Sequence, residues 1–477
     1  MSEIIDPLYE AASAMPEALA VVAPERALSY GDLDRLVAAT VRRLQSFGGG
    51  PARRVGLCLP PTWRALVLVL ATIRAGAVAC PISTRVPPRG VAALLRKVAA
   101  PVLITDREEW AGHLPEDIDV VSPEAVVEEE GGFREAAPRL AVDQPATMVF
   151  TSGSTGVAKA VLHSVGNHYF SARGSNENIT LGPGDRWLLA LPLYHVGGLG
   201  VVFRCVLAGA TVVVPKPGLS TGEAIRRYGV THVSLVATQL GRLLQEAPVL
   251  EKLKAVLVGG SAVPSSLIRQ AHVRGLPVHT TYGLTETASQ VTTTPPGASL
   301  ARLGTSGRRL PYREVKVAED GEILVKGAVL FQGYVEGETL HRPLDADGWF
   351  HTGDLGELDA DGFLRVLGRT DTLFISGGEN IHPEEIEQAL CTLDGMQHAV
   401  VVPVADAMFG HRPLAFVKMA GGVPAREALA ARLEALLPRF KIPIAFYEWP
   451  DEAAAPGLKI DRAFFEKYAQ RLYRAES

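Results

Sequence analysis

The segment Met148-Val-Phe-Thr-Ser-Gly-Ser-Thr-Gly-Val-Ala-Lys159 concentrates residue types that can hold an anion. An apolar strand end, Thr147–Phe150, runs into a loop of small hydroxyl residues and glycines closed by Lys159. Main-chain N–H groups in such a loop can converge on one point, hydroxyls add donors and the lysine adds charge, so phosphate binding is the chemistry it suggests. The spacing departs from GxxxxGK[ST], because no Ser or Thr follows Lys159. It departs equally from GxGxxG.

Other segments carry groups that could act beside it. Tyr282-Gly-Leu-Thr-Glu-Thr287 and Trp349-Phe-His-Thr-Gly-Asp354 each place a carboxylate in a turn-prone setting. Gly259-Gly260-Ser261 follows an apolar run, where a plain turn is the simpler reading. Arg204 sits among Leu199, Val201, Val202, Phe203, Cys205, Val206 and Leu207 in an apolar helical stretch. A buried unpaired guanidinium is costly, so Arg204 either pairs with a protein carboxylate or meets an anionic substrate.

The elements that must position these groups follow from periodicity. Leu33, Leu36, Val37, Val41 and Leu44 recur at helical spacing within Tyr30–Phe47, and a second helix is expected from Thr62 to Ala75. Short apolar strands are expected at Val55–Leu59, Thr211–Pro215, Thr231–Val236, Lys254–Val258 and Val278–Tyr282. Strands alternating with helices imply an α/β fold with parallel sheets covered on both faces. From Gly321 the rhythm changes to short strands (Glu322–Val325, Gly348–Asp354, Gly362–Leu367) joined by Asp320-Gly321, Asp347-Gly348 and Asp361-Gly362 turns, a small antiparallel β unit. Helices Pro383–Leu390 and Ala425–Leu436 with strands His398–Pro403 and Leu414–Met419 predict a separate, smaller α+β domain. The expected division is 1–368, a hinge at 369–372, and 373–477.

Composition narrows the function classes. At 477 residues the chain is too long for one core. Lys plus Arg number 47 against 52 Asp plus Glu, a net charge of −5 that favours neither nucleic acid nor an anionic membrane as main partner. Cys58, Cys80, Cys205 and Cys391 lie far apart in apolar surroundings, which predicts buried reduced thiols. The most apolar run, Ala65–Ile73, is too short for a membrane span, so no stable membrane insertion is expected and a cytoplasmic protein is.

Five segments together resemble the acyl-activating, adenylate-forming enzymes, the superfamily of acyl-CoA synthetases. They are Thr151–Lys159, Tyr282–Thr287, Trp349–Asp354, Gly368-Arg-Thr-Asp371 with Ser376-Gly-Gly-Glu-Asn380, and Gly457-Leu-Lys-Ile-Asp-Arg462, in the family's order. The resemblance implies a large N-terminal domain and a mobile C-terminal one that couple a carboxylic acid to ATP, release pyrophosphate, and pass the acyl group from AMP to coenzyme A. It implies a nucleotide site of Thr151, Ser152, Gly153, Ser154, Thr155, Gly156 and Lys159 on the outer phosphates, with Thr285 on the α-phosphate. Glu286, and Thr155 by its hydroxyl, would ligate Mg²⁺. Tyr282 with Gly283 would face adenine against Gly259, Gly260 and Ser261, while Asp354 and Arg369 would hold the ribose. Lys459 would bridge carboxylate and α-phosphate, making Lys459, Glu286, Thr155 and Lys159 the catalytic set.

Asp371 is the implied pivot, and Gly377 with Gly378 would face the pantetheine arm of coenzyme A. His195, Gly198, Arg204, Ser289 and Gln290 would line the acyl pocket, with glycine leaving room for the acid. The acyl segment Leu191–Gly209 is most similar to a branch that activates the succinyl carboxylate of an aromatic dicarboxylic acid, leaving a ring carboxylate for a basic residue. A fatty or aryl acid is the alternative substrate. The partners expected are therefore small molecules, with a homo-oligomer left open. Two positions depart from the family pattern: Leu458 separates Gly457 from Lys459, and Thr372 replaces the second hinge aspartate. A relative that merely binds nucleotide should lack Lys459, Glu286 or Lys159, and all three are present.

Overall fold

The computed structural model describes residues 2–476 except 48–49, 51, 129–136, 153–157, 247–249, 251, 262, 378, 407, 421 and 454–459, with backbone alone at 152, 380 and 474–476. Gly153, Ser154, Thr155, Gly156, Gly378, Lys459 and the Ser152 side chain thus lie outside the described residues.

Two large sheets form the body of the protein. In the first, Val78–Pro81, Arg54–Cys58, Val102–Thr105 and Asp119–Val121 are parallel. This run continues through Pro145–Ser152 into an antiparallel margin of Ala158–Ser164, Gly333–Glu336 and Thr339–His341. In the second, Val278–Leu284, Ala255–Val258, His232–Leu235, Arg186–Leu188, Thr211–Val213 and Leu19–Val22 are parallel, and Ser289–Thr293 and Arg308–Arg309 close one edge antiparallel. The parallel strands are almost wholly apolar and buried, as strands covered on both faces must be. The sequence did not announce the antiparallel margins, and those margins carry the glycine-rich loop and the strand Ser289–Thr293.

The helix Tyr30–Ser46 starts on a Ser29–Asp32 capping box, and Trp63–Arg74 starts on a Thr62 cap. Arg74 ends the apolar run Ala65–Ile73. Its Nε lies 2.7 Å from Asp6 Oδ2, and Asp34 Oδ1 is an ion-pair neighbour at 2.7 Å outside hydrogen-bond alignment, so the buried charge is neutralised.

A third sheet, Arg313–Val317, Glu322–Gly327, Phe350–Leu358 and Leu364–Arg369, is wholly antiparallel as expected. Gly321 and Gly362 take φ of +85° and +77° in the turns that join neighbouring strands. Asp347-Gly348 turns between the antiparallel-bridged Leu344 and Phe350, leading from the margin of the large sheet into Phe350–Leu358.

The C-terminal part is a separate domain. Phe374–Ser376, Glu379–Ile381, Met396–Asp406, Gly410–Met419 and Phe446–Glu448 form its sheet, packed against Pro383–Cys391 and Arg462–Glu476. All four cysteines are buried and free. Among the described residues, no helix is long and apolar enough to cross a membrane.

Candidate active site

The glycine-rich segment lies in the sequence between two paired strands. Pro145–Ser152 and Ala158–Ser164 pair antiparallel, with Thr151 opposite Lys159. The segment after the loop is a strand, Ala158–Ser164, and not a helix, so no helix N-terminus follows the loop directly. Lys159 is exposed, and its Nζ lies 4.9 Å from the centre of the Tyr334 ring on the next strand. The Tyr334 hydroxyl donates to Glu286 Oε1 at 2.8 Å, so cation, ring and carboxylate stand in one row.

Glu286 rides on a single 3₁₀ turn, Thr285–Thr287, that ends the strand Val278–Leu284. That turn is pinned on both sides. Phe331 N donates to the Glu286 carbonyl at 2.8 Å, and His163 Nε2 donates to the Thr285 carbonyl at 2.7 Å. A carbonyl only accepts, so neutral His163 carries its proton on Nε2 and must accept at Nδ1. The Thr147 hydroxyl fills that role at 3.3 Å and in turn accepts from His168 Nε2 at 2.7 Å. His168 stacks flat on Phe203, with ring centres 4.3 Å apart. One directed chain of buried donors therefore links the Thr285 turn to the helix Val196–Ala208.

Burial holds both histidines neutral, and it pushes His163 down to about 4. The folded protein cannot take the His163 proton until well below the ordinary histidine range, whereas the unfolded chain takes it near 6.5. Stability therefore falls as pH drops from 6.5 towards 4, by about 1.4 kcal/mol per unit for this group. His163→Gln keeps a donor for Thr285 and removes the titration. Urea midpoints at pH 7 and pH 5 should show the variant sparing about 2 kcal/mol of the acid-induced loss. An identical loss in both proteins would mean that His163 titrates normally.

The second cluster joins the middle sheets. Tyr282 donates its hydroxyl to Asp354 Oδ2 at 2.6 Å, and Arg369 Nη1 meets Asp354 Oδ1 at 3.0 Å from the facing strand. Arg369 also grips both oxygens of Asp371, at 2.8 and 3.3 Å. Burial raises Asp354 above the usual carboxylate range, although Tyr282 and Arg369 pull against it. Gly259 and Gly260 follow the strand Ala255–Val258 beside Thr281, and a Cβ at Gly259 would lie 2.6 Å from Thr281 Cγ2. The pair thus permits close approach to the strand bearing Tyr282, and Ser261 follows exposed.

Around the acyl segment, His195 occupies the N-cap position of Val196–Ala208 without capping it through its side chain. The space before Gly198 is taken by the Pro192 carbonyl, which corrects the expectation that this glycine opens room for a ligand. It lets the helix press on its own leading turn. Arg204 is 1% exposed. Its Nη2 donates to Ser289 Oγ at 3.0 Å, its guanidinium lies 5.2 Å from the Trp187 ring, and its Nε and Nη1 have no hydrogen-bond partner. Gly200, one turn earlier, makes the space: a Cβ there would lie 3.1 Å from Nη2. Burial pushes the guanidinium down to about 10. Gln290 is also buried, with Nε2 on Thr293 Oγ1 at 2.6 Å and Oε1 unpartnered. Arg204 and Ser289 therefore meet, while the neighbouring Gln290 turns to Thr293; among the described residues two Arg204 donor nitrogens and the Gln290 acceptor stay unsatisfied.

In the C-terminal domain, Arg462 Nη2 bridges Glu384 at 3.1 Å and Glu387 at 2.7 Å, and Nη1 donates to the Val401 carbonyl at 2.9 Å. Arg462 therefore anchors the end of the segment that carries Lys459. Thr372 donates to Glu384 Oε1 at 3.0 Å, so the residue replacing the second hinge aspartate ties the hinge to the helix Pro383–Cys391. Gly377 lies against Phe409, with Ile375 and Met408 exposed nearby. Tyr334, His163, His168 and Trp187 were not singled out from the sequence. Strand alternation does place Lys159 and His163 on one face, which is the signal that could have found the histidine.

With a glycine-rich segment between paired strands, a Tyr–Asp–Arg cluster and a separate C-terminal domain, the chain belongs to the AMP-binding enzyme family: the family model matches residues 8–335, and its C-terminal domain model matches 385–453. Its relatives narrow this further. The chain is 35% identical to 2-succinylbenzoate–CoA ligase of Geobacillus kaustophilus over 94% of this chain and 95% of the relative. The o-succinylbenzoate CoA synthetase (MenE) of Bacillus subtilis, solved with the acyl-adenylate intermediate OSB-AMP, superposes with a TM-score of 0.85 at 31% identity, over 94% of this chain and 95% of that one. The same enzyme solved with ATP and magnesium also superposes at 0.85 and 31%, over 94% and 96%.

Proposed function

We infer that the protein joins 2-succinylbenzoate to coenzyme A at the expense of ATP, through an acyl-AMP intermediate, as a step of menaquinone biosynthesis. The observation that carries this choice of acid is Arg204, a buried guanidinium with two donor nitrogens unpartnered and no carboxylate partner among the described residues. An anionic group on the substrate relieves the desolvation cost that the protein leaves unmet. The ring carboxylate of 2-succinylbenzoate supplies that group while its succinyl carboxylate reacts. A fatty acid would leave the charge unanswered.

The remaining assignments follow the same logic. The carboxylate attacks the α-phosphorus and pyrophosphate departs; the thiol of coenzyme A then attacks the acyl carbonyl and AMP departs. Negative charge gathers on phosphate oxygens throughout the first step, so positioning and cations contribute most. Lys159 and the glycine-rich segment, including Thr151, Ser152 and Thr155, hold the outer phosphates, and Thr285 holds the α-phosphate. Asp354 and Arg369 take the ribose hydroxyls, and Tyr282 and Gly283 with Gly259, Gly260 and Ser261 enclose the base.

Among the described residues, no three His, Cys, Asp or Glu side chains gather around one point. Magnesium therefore fits as a phosphate- and water-bound ion with Glu286 as its protein carboxylate, the arrangement this cation favours. The ion would neutralise phosphate charge. The division at 369–372, pivoting on Asp371, lets the C-terminal domain present Lys459 for the first step and the Gly377–Gly378 face to coenzyme A for the second.

Mass-spectrometric detection of thioester across a panel of acids tests the reading. Product from 2-succinylbenzoate, with aliphatic and simple aryl monocarboxylic acids at least about tenfold slower, is the expected outcome. Faster turnover of a fatty acid would transfer the protein to another branch of the family.

A further inference from the structure

Arg204 is not the only uncompensated cation by the acyl segment. Arg313, at the start of the strand Arg313–Val317, is also 1% exposed and has no carboxylate ion pair among the described residues. Its guanidinium is spent on carbonyls: Nη1 on Gln290 O, Nε on Pro311 O at 2.9 Å, and Nη2 on Phe170 O at 3.4 Å. Glu177, whose charge reaches Arg313, is held at the surface by the Tyr312 hydroxyl at 2.8 Å and by Arg173 at 3.8 Å. Burial and the charge of Arg204 together push Arg313 down to about 9.

The two arginines clasp consecutive residues of one strand. Arg204 holds the Ser289 hydroxyl, and Arg313 holds the Gln290 carbonyl. The helix Val165–Asn178 makes way for Arg313 with Gly174, where a Cβ would lie 2.5 Å from Nη2. The clasped residues enter through a strained turn: Ala288 and Ser289 take φ of +52° and +132°, values that side-chain-bearing residues rarely adopt. Ser171 Oγ on Ala288 O and Thr287 Oγ1 on Ser289 O, each at 3.1 Å, add to the restraint. Two buried positive charges without a carboxylate ion pair among the described residues, behind a wall held in a strained shape, make a site poised for excess negative charge on its ligand.

We propose that Arg313 is a specificity-determining positioning residue of the acyl site, fixing the Ser289–Gln290 wall from behind and adding a second buried charge that selects acids with two carboxylates. This rests on the acyl reading above. The test compares kcat/KM for 2-succinylbenzoate and for the same keto acid without its ring carboxylate. Arg313→Gln keeps a donor for the Gln290 carbonyl and loses the charge, whereas Arg313→Lys keeps the charge.

The expected result is a diacid-to-monoacid ratio lowered about tenfold in Arg313→Gln and within about threefold of the parent in Arg313→Lys, with KM for ATP unchanged in both. A ratio unaltered in Arg313→Gln, or lost in Arg313→Lys, overturns the proposal. If the glutamine variant does not fold, the lysine variant decides alone. A parent enzyme indifferent to the ring carboxylate overturns the acyl reading and this inference with it. Parent preference combined with an unaltered glutamine variant overturns this inference only.

Discussion

Lys459→Ala should slow formation of the acyl-adenylate by about 10²–10³-fold and leave thioester formation from preformed acyl-AMP near the parent rate. The size follows from the loss of one charged donor at the point where charge develops, about 2.7–4 kcal/mol. The selectivity follows from the role proposed for Lys459, which would be needed only while carboxylate and α-phosphate approach each other. Single-turnover assays of each half-reaction separate the outcomes. Leu458, between Gly457 and Lys459 in the sequence, makes this a demanding test of the assignment. Equal loss of both half-reactions would mean that Lys459 supports the fold or the hinge and not the first chemical step.

How far the sequence reached depends on the kind of interaction. The members of the Tyr282–Asp354–Arg369–Asp371 cluster were each singled out because they sit in short motifs; they come from three separated segments, yet hydrogen bonds between 2.6 and 3.3 Å join them. The parallel strands were legible from unbroken apolar runs such as Ala255–Val258. Antiparallel margins were not, because the pairing of Ala158–Ser164 with Gly333–Glu336 joins segments some 170 residues apart with no turn signal between them. The Thr285–His163–Thr147–His168 chain was hidden for the same reason: a buried histidine's role depends on which carbonyl or hydroxyl faces it, and spacing does not encode that. Gly198 shows the opposite error. The motif pointed to the right place, but the Pro192 carbonyl fills the room attributed to a ligand.

Arg204→Leu gives the second large effect, and its signature is an opposition between binding and stability. Removing one side of a buried charge pair formed with substrate costs on the order of 2–5 kcal/mol of binding, so KM for 2-succinylbenzoate should rise about 10²-fold. KM for ATP should change little, since the guanidinium meets Ser289, Trp187 and no residue of the nucleotide cluster. The ligand-free protein should melt no lower than the parent and plausible gains reach about 1–4 kcal/mol, because leucine suits the apolar helix and removes an uncompensated buried charge. A variant that loses stability while binding both substrates equally well would return Arg204 to a purely structural role.

On the function proposed above, the segment 151–159, the Tyr282–Asp354–Arg369 cluster and the Arg204 pocket hold one acyl-AMP anhydride between them. Exchange of labelled pyrophosphate into ATP measures reversal of that first step directly and needs no coenzyme A. Exchange should require magnesium and 2-succinylbenzoate together and fall at least about tenfold in Glu286→Gln. Exchange that proceeds without any acid, or that no carboxylic acid elicits, would contradict that function.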